Sequence, residues 1–309
     1  MPRLTRAARW RPRAAAQTGL NEANEMAKTV VIVGAGGKMG IRAAGKIGTH
    51  SQFNVLMCES NPEHAAGLVD AGFTVTPFDE AVAEADFIIL AVPDAIIGKI
   101  SEAAAPKMKS GGMLVMLDAA AAYIGELPQR TDIGMMITHP CHPPFFTEQP
   151  TPEARADYFG GIAKQDILVS LIQGSEETFA EGTELCRAIF SPVGKAHRVT
   201  PEQFAFLEPS MAELITATAA TLSKQSMDAA IEKGVPREAA EAFMAGHAQI
   251  ALAIVFGAEK SPFSDAAQMA VEWGMKEIIR PDWRKVYERE TLEEAIHFML
   301  KPKEIATNV

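Results

Sequence analysis

A glycine-rich turn at residues 34–40 has the residue types and spacing of a phosphate-binding loop. An apolar run at 29–33 precedes it and small residues follow it, which predicts a buried strand, a tight turn and a helix. Backbone N–H groups at the N-terminus of such a helix bind a dinucleotide pyrophosphate, and glycines allow its close approach. We therefore predict dinucleotide binding, the alternative being an ordinary glycine-rich turn between a strand and a helix. The predicted cofactor contacts in the turn are Gly34, Gly36, Gly37, Lys38, Met39 and Gly40.

Glu59 follows a second apolar run, 55–58, and lies 19 residues after the last glycine of the turn. A carboxylate at this spacing accepts hydrogen bonds from the adenosine ribose and repels a 2′-phosphate. The next residues, 60–62, include no arginine that could reverse this preference. We therefore expect NAD rather than NADP, the alternative for Glu59 being a solvated turn residue. Val92, Pro93 and Asp94 form the carboxyl end of a later apolar strand and are expected on the nicotinamide side of the cofactor, with Val92 and Pro93 predicted to contact it.

Imidazole, thiol and aromatic side chains are concentrated at residues 139–146, His-Pro-Cys-His-Pro-Pro-Phe-Phe. Prolines stiffen this loop, and His139 directly follows a predicted strand, 134–138, where ligands of parallel sheets bind. An imidazole there could coordinate a divalent metal or polarise a substrate oxygen, and Cys141 could join His139 and His142 in a zinc site. The alternative is a structural loop in which the histidines cap strand ends.

Glu208 is a carboxylate in an apolar stretch of a predicted long helix, 201–233. It stands beside Phe206 and Leu207 and directly precedes Pro209, which disrupts the helical hydrogen bonds. A carboxylate in an apolar setting is costly unless it is paired or bound to a metal. We therefore predict a functional role for Glu208, with a solvated or capping role as the alternative.

The alternation of apolar runs and helical patterns predicts an α/β Rossmann-type parallel sheet domain, followed by an all-helical C-terminal domain with one long kinked helix. Further strands are expected at 73–76, 86–93, 113–117 and 166–172, and further helices at 62–71, 79–84, 96–107, 175–190, 236–258, 264–279 and 291–300. We predict an extraneous or disordered leader at 1–25, a NAD-binding Rossmann domain at 26–198, and a helical substrate and dimerisation domain at 199–309.

The composition narrows the class of partner. The 309 residues carry a formal net charge of −10, which argues against a nucleic-acid partner, and three cysteines, which favour a reducing cytoplasm over a disulfide framework. No apolar run reaches the length of a membrane span. The predicted helix at 201–233 would be roughly 45–50 Å long, more than a small domain needs, so we expect it to pack against a second subunit in a homodimer.

A nucleotide-binding sheet followed by a helical domain with one very long helix resembles the 6-phosphogluconate dehydrogenase and β-hydroxyacid dehydrogenase superfamily. Two positions depart from its pattern. That superfamily has a serine or threonine after the strand that ends here in Asp118, whereas this chain has alanines at 119–121. It also has a catalytic lysine early in the long helix, whereas this chain has Phe-Leu-Glu-Pro-Ser at 206–210, and Lys224 lies about four turns further on.

The chain from Met26 onward more closely resembles the D-apionate oxidoisomerases, through the Val-Gly-Ala-Gly-Gly-Lys-Met-Gly turn at 33–40 and the His-Pro-Cys-His-Pro-Pro loop at 139–144. The resemblance implies NAD-dependent oxidation of a branched sugar acid, coupled to a carbon shift that gives 3-oxo-isoapionate. It also implies a divalent metal, zinc or another cation, with His139 and Glu208 as ligands. His142 would support the site or transfer a proton.

Two other functions fit the same residues. One is a simple NAD-dependent sugar-acid dehydrogenase, whose product keeps the carbon skeleton of the substrate. The other is a regulatory protein that binds NAD without catalysis.

Overall fold

The computed structural model describes residues 27–48 and 52–301. The predicted leader at 1–25 lies outside these residues. The described chain divides into two compact units. We call the first the sheet unit; it contains the residues up to Pro143 together with Gln149–Pro201. The second, the helical unit, contains Pro144–Glu148 and the residues from Glu202 onward.

Within the described ranges, seven strands of the sheet unit form one sheet in the order β2-β1-β3-β4-β5-β6-β7. The strands are β1 (Lys28–Val33), β2 (Phe53–Cys58), β3 (Phe87–Leu90), β4 (Met113–Met116), β5 (Gly134–Pro140), β6 (Gln165–Gln173) and β7 (Val193–Arg198). Strands β1 to β5 pair in parallel, β6 runs antiparallel to β5, and β7 is parallel to β6. The chain moves from β1 to β2 and then returns to β3 on the other side of β1. This switch point at the carboxyl end of β1 is where doubly wound sheets bind ligands, and the predicted Rossmann-type fold is confirmed.

Helices cover the sheet because its central strands are apolar throughout. Every residue of β3 and β4 is buried, as expected for parallel strands covered on both faces. Ile47 and Leu185, from two different helices, belong to the same buried cluster as Ile32 of β1, and each such side chain contributes about 1.5–3 kcal/mol by burial. The helices of this unit are α1 (Lys38–Ile47), α2 (Pro62–Asp70), α3 (Phe78–Glu84), α4 (Ile97–Ala104), α5 (Ala120–Tyr123), α6 (Pro152–Arg155) and α7 (Glu176–Ile189).

Two strand predictions need correction, and one strand was not predicted. The strand expected at 134–138 continues to Pro140, because antiparallel pairing with β6 extends it and a proline at a strand end removes only one donor. The strand expected at 73–76 is reduced to an isolated bridge between Met57 and Val75. Strand β7 was missed, because Val-Gly-Lys-Ala-His-Arg lacks an apolar pattern and pairing with β6 creates the strand.

The helical unit contains the predicted long helix in three parts, α8 (Pro201–Ala205), a π-helical segment (Phe206–Ala217) and α9 (Thr218–Glu232). The long helix ends at Glu232, and Gly234 follows it with a φ of +96°, which suits the residue after a helix C-terminus. The later helices are α10 (Arg237–Val255), α11 (Asp265–Glu277) and α12 (Arg289–Met299), which confirms an all-helical C-terminal part. Within residues 27–48 and 52–301, none of the helices has the length and apolar character needed to cross a membrane.

Candidate active site

The glycine-rich turn between β1 and α1 is fixed by the atoms around it. Gly34 has a φ of +77°, and a Cβ there would lie 2.5 Å from the Ala91 carbonyl oxygen. A Cβ at Gly36 would lie 2.5 Å from the Cβ of His64. Gly37 is less restricted, since the atom nearest to its added Cβ would be 3.3 Å away. The steric need for glycine is therefore stronger at Gly34 and Gly36 than at Gly37.

The N-terminus of α1 is suited to an anion. Its N-cap, Gly37, provides no side-chain cap, and the first turn carries no acidic residue. An anion can therefore satisfy the N–H groups there. Gly40 lies against the turn, because a Cβ on it would collide with the Gly34 carbonyl. Met39 packs against the apolar core, and the ammonium of Lys38 lies 3.8 Å from the centre of the Phe159 ring.

Glu59 joins the end of β2 to the glycine-rich turn. Its Oε2 accepts a hydrogen bond of 2.9 Å from the Gly36 N–H, and its Oε1 accepts one of 2.9 Å from the Asn61 N–H. The His64 Nδ1 lies 3.9 Å from Oε2, and the Glu59 side chain is only 6% exposed. These contacts hold a carboxylate at the rim of the turn, where a ribose hydroxyl would meet it.

A cavity of about 820 Å³ opens beside this carboxylate. Five of the residues predicted to bind the cofactor line it: Gly34, Gly37, Glu59, Val92 and Pro93. Sequence reasoning missed its other walls, among them His64, Phe78, Ile96 and Ile100. These side chains come from helices that the sequence predicted, but the face that each helix turns to the cavity depends on its packing. The cavity lies at the carboxyl ends of β1, β2 and β3, as expected for a dinucleotide site.

His139 is the last but one residue of β5 rather than the first residue of a loop. It pairs with Leu168 of β6 and is half-buried. Its Nδ1 lies 2.9 Å from the Pro140 carbonyl oxygen. When Nδ1 carries the proton it donates to that carbonyl, and the lone pair of the neutral ring is then on Nε2.

His142 lies next to His139 in an uncommon backbone conformation. Its φ is 60°, and the two imidazole rings meet edge to face with centres 5.8 Å apart. The His142 Nδ1 is 3.3 Å from the Phe159 carbonyl oxygen. Burial lowers the pKa of His142, and although the Phe159 carbonyl opposes this shift, nearby cations reinforce it. The ring is therefore kept neutral at neutral pH.

Cys141 does not complete a zinc site with the two histidines. Desolvation and the negative charge of Asp166 raise the pKa of its thiol to about 11. In the part of the chain that the structure describes, no three His, Cys, Asp or Glu side chains are grouped to hold a metal ion. The expectation of a His139, Cys141 and His142 triad was therefore wrong.

Asp94 is a carboxylate near this edge that the sequence analysis placed on the nicotinamide side without giving it a role. It begins a short 3₁₀ turn, Asp94–Ile96, directly after Pro93 and four residues beyond the end of β3 at Leu90. Desolvation raises its pKa, and the electrostatic attraction of His139 acts against that increase. The available sequence signal was its position as the first charged residue after a buried strand.

Glu208 belongs to the helical unit and is buried as predicted, with 7% of its surface exposed. Helix α8 ends at Ala205. If the α-helix continued, the ring of Pro209 would clash with the Ala205 carbonyl. The chain continues as the π-helical segment, a conformation often found at functional sites. The neighbouring Ser210 is also buried and donates a hydrogen bond of 2.7 Å to the Val286 carbonyl.

Two known families match different parts of the chain. Residues 26–153 match the acetohydroxy acid isomeroreductase NADPH-binding domain. Residues 147–300 match the C-terminal domain of decarboxylating phosphogluconate dehydrogenase. The second match confirms the superfamily resemblance that the long helix suggested.

Relatives that match over nearly their whole length define the family more closely. A D-apionate oxidoisomerase from Rhizobium rhizogenes is 40% identical over 282 residues, which cover 91% of this chain and 98% of that protein. A D-apionate oxidoisomerase from Cupriavidus necator is 41% identical over 273 residues, which cover 88% of this chain and 99% of that protein.

Solved structures share the fold of this chain. A semialdehyde dehydrogenase NAD-binding protein from Cupriavidus necator, in complex with calcium and NAD, is 40% identical with a TM-score of 0.85, covering 89% of this chain and 100% of that one. An NADH-preferring ketol-acid reductoisomerase from an uncultured archean shares the fold, with a TM-score of 0.63 at 20% identity over 88% of this chain and 82% of that one. The chain described here therefore belongs to the D-apionate oxidoisomerase family of NAD-dependent oxidoreductases.

Proposed function

We propose that this protein oxidises D-apionate with NAD and rearranges the carbon skeleton to 3-oxo-isoapionate. The observation that carries the proposal is the arrangement of the sheet unit. The dinucleotide-sized cavity lies at the carboxyl ends of β1 to β3, and His139 lies at the carboxyl end of β5 in the same sheet. The relatives named D-apionate oxidoisomerase supply the substrate and the product class.

Glu59 supports NAD over NADP as the cofactor. Its buried carboxylate is oriented by the Gly36 and Asn61 N–H groups, so it faces the ribose position without first having to move. A 2′-phosphate there would meet a fixed negative charge. The relative of known structure that holds NAD supports the same choice, although the family matched by residues 26–153 is described as binding NADPH. When bound, NAD would accept a hydride from the C2 carbon of the substrate.

His139 is our candidate for the imidazole ligand at this edge of the sheet. With the Nδ1 proton donated to the Pro140 carbonyl, Nε2 presents the one lone pair of the neutral ring, which is the atom that would bind a metal. His142, kept neutral by burial, would support the His139 ring or pass the proton onward.

We further propose that His139 and Glu208 are ligands of a divalent metal. The residue types fit, since an imidazole nitrogen and a carboxylate are common ligands, and a relative of known structure holds calcium. Glu208 is buried, and a buried carboxylate needs a positively charged partner. Its burial therefore favours a role in cation binding over the role of a solvated surface residue. A divalent ion would acidify the tertiary alcohol and polarise the neighbouring ketone, which promotes the carbon shift. Zinc and other divalent cations remain candidates.

The test combines purified protein, NAD, a divalent metal and D-apionate, with NADH absorbance and NMR analysis of the product's carbon skeleton. The proposal requires NADH and a rearranged product that disappears with chelation. NADH with an unrearranged keto acid would indicate the simple dehydrogenase, and NAD binding without NADH would indicate a regulatory protein. His139→Ala and Glu208→Ala should each weaken metal binding measured by calorimetry, whereas retained affinity in both would refute their role as ligands.

We also propose a homodimer formed through the helical unit. Helices α10 and α11 and the residues that follow them expose large apolar side chains, with Phe243, Val255, Met269, Trp273 and Ile278 between 62% and 71% exposed. Large apolar side chains exposed in this number on neighbouring segments of the chain favour an interface. Light scattering should give twice the mass of one chain, and Trp273→Glu should lower it, whereas a monomeric wild type would refute the dimer.

Cytoplasmic localisation is likewise a proposal. The cysteines of the described chain, Cys58, Cys141 and Cys186, are free, which suits a reducing compartment. Fractionation of the source cells would test it.

A further inference from the structure

Arg42 is a buried cation that the proposed reaction does not use. It lies on α1, one turn after Lys38, and is 9% exposed. Its Nη1 donates a hydrogen bond of 2.9 Å to the Phe159 carbonyl, and its Nη2 donates one of 2.6 Å to the Gly160 carbonyl. The guanidinium also lies 4.9 Å from the centre of the Phe159 ring. A planar fork suits two successive carbonyls, which a lysine ammonium matches poorly.

The turn that receives Arg42 is organised by Asp157. Its Oδ1 accepts a hydrogen bond of 3.0 Å from the Gly160 N–H, and its Oδ2 accepts bonds of 2.6 Å and 3.0 Å from the N–H groups of Ile162 and Ala163. Gly160 has a φ of +85°, and a Cβ there would lie 2.5 Å from the Gln165 Oε1. These contacts fix the conformation of the turn, in which the carbonyls of residues 159 and 160 are directed toward α1.

Phe159 connects this turn to the histidines. The centre of its ring lies 5.5 Å from that of His142, and its carbonyl oxygen is 3.3 Å from the His142 Nδ1. The same ring lies under the Lys38 ammonium at 3.8 Å. His142 in turn packs edge to face on His139. A continuous series of contacts therefore runs from α1, which carries the N-terminus suited to the cofactor, to the imidazole pair.

Burying a guanidinium is costly, so its contacts must compensate. Burial lowers the pKa of Arg42, and the negative charge of Asp157 acts against that decrease. The Nε of Arg42 is buried and has no hydrogen-bond acceptor among the residues that the structure describes. An apolar side chain would fill the space without that cost, which points to a purpose beyond packing.

We propose that Arg42 is a positioning residue for the reacting edge of the sheet. It fixes the turn at 157–160 against α1, and the turn holds Phe159 against the His142 imidazole beside His139. The catalytic consequence rests on the proposed function, whereas the fixing of the turn does not depend on it.

The test uses Arg42→Met and Arg42→Lys in the full chain. Both variants lose the guanidinium that donates to the carbonyls of residues 159 and 160, so the turn should open more often. We therefore expect faster amide hydrogen exchange at Gly160, Ile162 and Ala163 in both variants. For D-apionate we expect a fall in kcat of about tenfold, the size common for residues that orient catalytic groups, with the Kd for NAD unchanged. Arg155→Met is the matched control, since Arg155 is an exposed arginine on α6 beside the same turn.

A second pair of variants avoids a folding defect. Phe159→Leu keeps both carbonyl acceptors but removes the ring, and should lower kcat, whereas Phe159→Tyr should restore it. The proposal would be overturned if both Arg42 variants kept the wild-type amide exchange rates and the wild-type kcat. It would also be overturned if Arg155→Met changed the exchange rates and kcat as much as the Arg42 variants do. If neither Arg42 variant folds, wild-type kcat in Phe159→Leu overturns it. A wild type that does not turn over D-apionate refutes the proposed function alone, and the exchange data still decide whether Arg42 fixes the turn.

Discussion

Replacing Glu59 with glutamine should change the cofactor preference while leaving the fold intact. The carbonyl oxygen of the glutamine can still accept the hydrogen bond from the Gly36 N–H. The Asn61 N–H is exposed and can donate its hydrogen bond to water instead. The loss of folding stability should therefore be about 1.5–3 kcal/mol, the net value of one hydrogen bond to a charged group.

The effect on NAD follows from the charge of the acceptor. A hydrogen bond to a charged group contributes roughly 1.5–3 kcal/mol, against roughly 0.5–1.5 kcal/mol for a neutral one. Removing the charge at Glu59 should therefore weaken NAD binding about tenfold. For NADP, the repulsion between a carboxylate and a phosphate charge about 5 Å apart is about 3 kcal/mol at an effective dielectric constant of 20, so its loss should strengthen binding roughly a hundredfold.

Calorimetric titration with NAD and with NADP measures both effects, and thermal unfolding of the same samples checks the fold. Glu63→Gln is the matched control, because Glu63 is an exposed carboxylate in the first turn of α2. The reasoning is refuted if Glu59→Gln keeps the wild-type ratio of NAD to NADP affinity, or if Glu63→Gln changes that ratio equally.

Three further predictions concern single positions of the sheet unit. Gly34→Ala places a Cβ 2.5 Å from the Ala91 carbonyl at a φ of +77°, so we expect a lower Tm and loss of NAD binding by calorimetry; an unchanged Tm would contradict the steric argument. Asp157→Asn tests pH dependence: desolvation raises the pKa of Asp157, but the backbone N–H donors outweigh it and lower the pKa below 3.8. The carboxylate therefore stabilises the fold above pH 3.8 and loses that effect as the pH falls through its folded pKa, so the Tm difference between wild type and variant should shrink in acid; a constant difference would argue against this linkage. Cys141→Ser should keep metal affinity and turnover, because Cys141 is not grouped with two other His, Cys, Asp or Glu side chains that could hold a metal among the described residues, and a large loss of either would restore Cys141 as a site residue.

Much of the sheet unit could be predicted because its signals are local. The apolar strands lie near their predicted positions, since a strand buried on both faces must be apolar at every residue. The glycine turn was equally clear, because the φ and the close approach at Gly34 exclude other residues. The burial of Glu208 followed from its apolar neighbours and the adjacent Pro209.

The misses share a different physical cause. Strand β7 has no apolar pattern and exists because β6 offers it hydrogen-bonding partners. Asp94 gains its raised pKa from desolvation by its surroundings, which no local pattern reveals. The zinc triad failed because closeness in sequence does not orient three side chains toward one point.

The sequence alone determined the strand and helix types, the position of the dinucleotide turn, the acidic residue that favours NAD and the resemblance to the family, because each depends on residues close together in the chain. Only the tertiary structure decided that Arg42 reaches the carbonyls of Phe159 and Gly160, more than a hundred residues away. It also decided that Phe159 packs on His142, and which helix faces line the cavity. Such contacts depend on how the helices and loops pack around the sheet, and packing is a property of the whole chain rather than of any one segment.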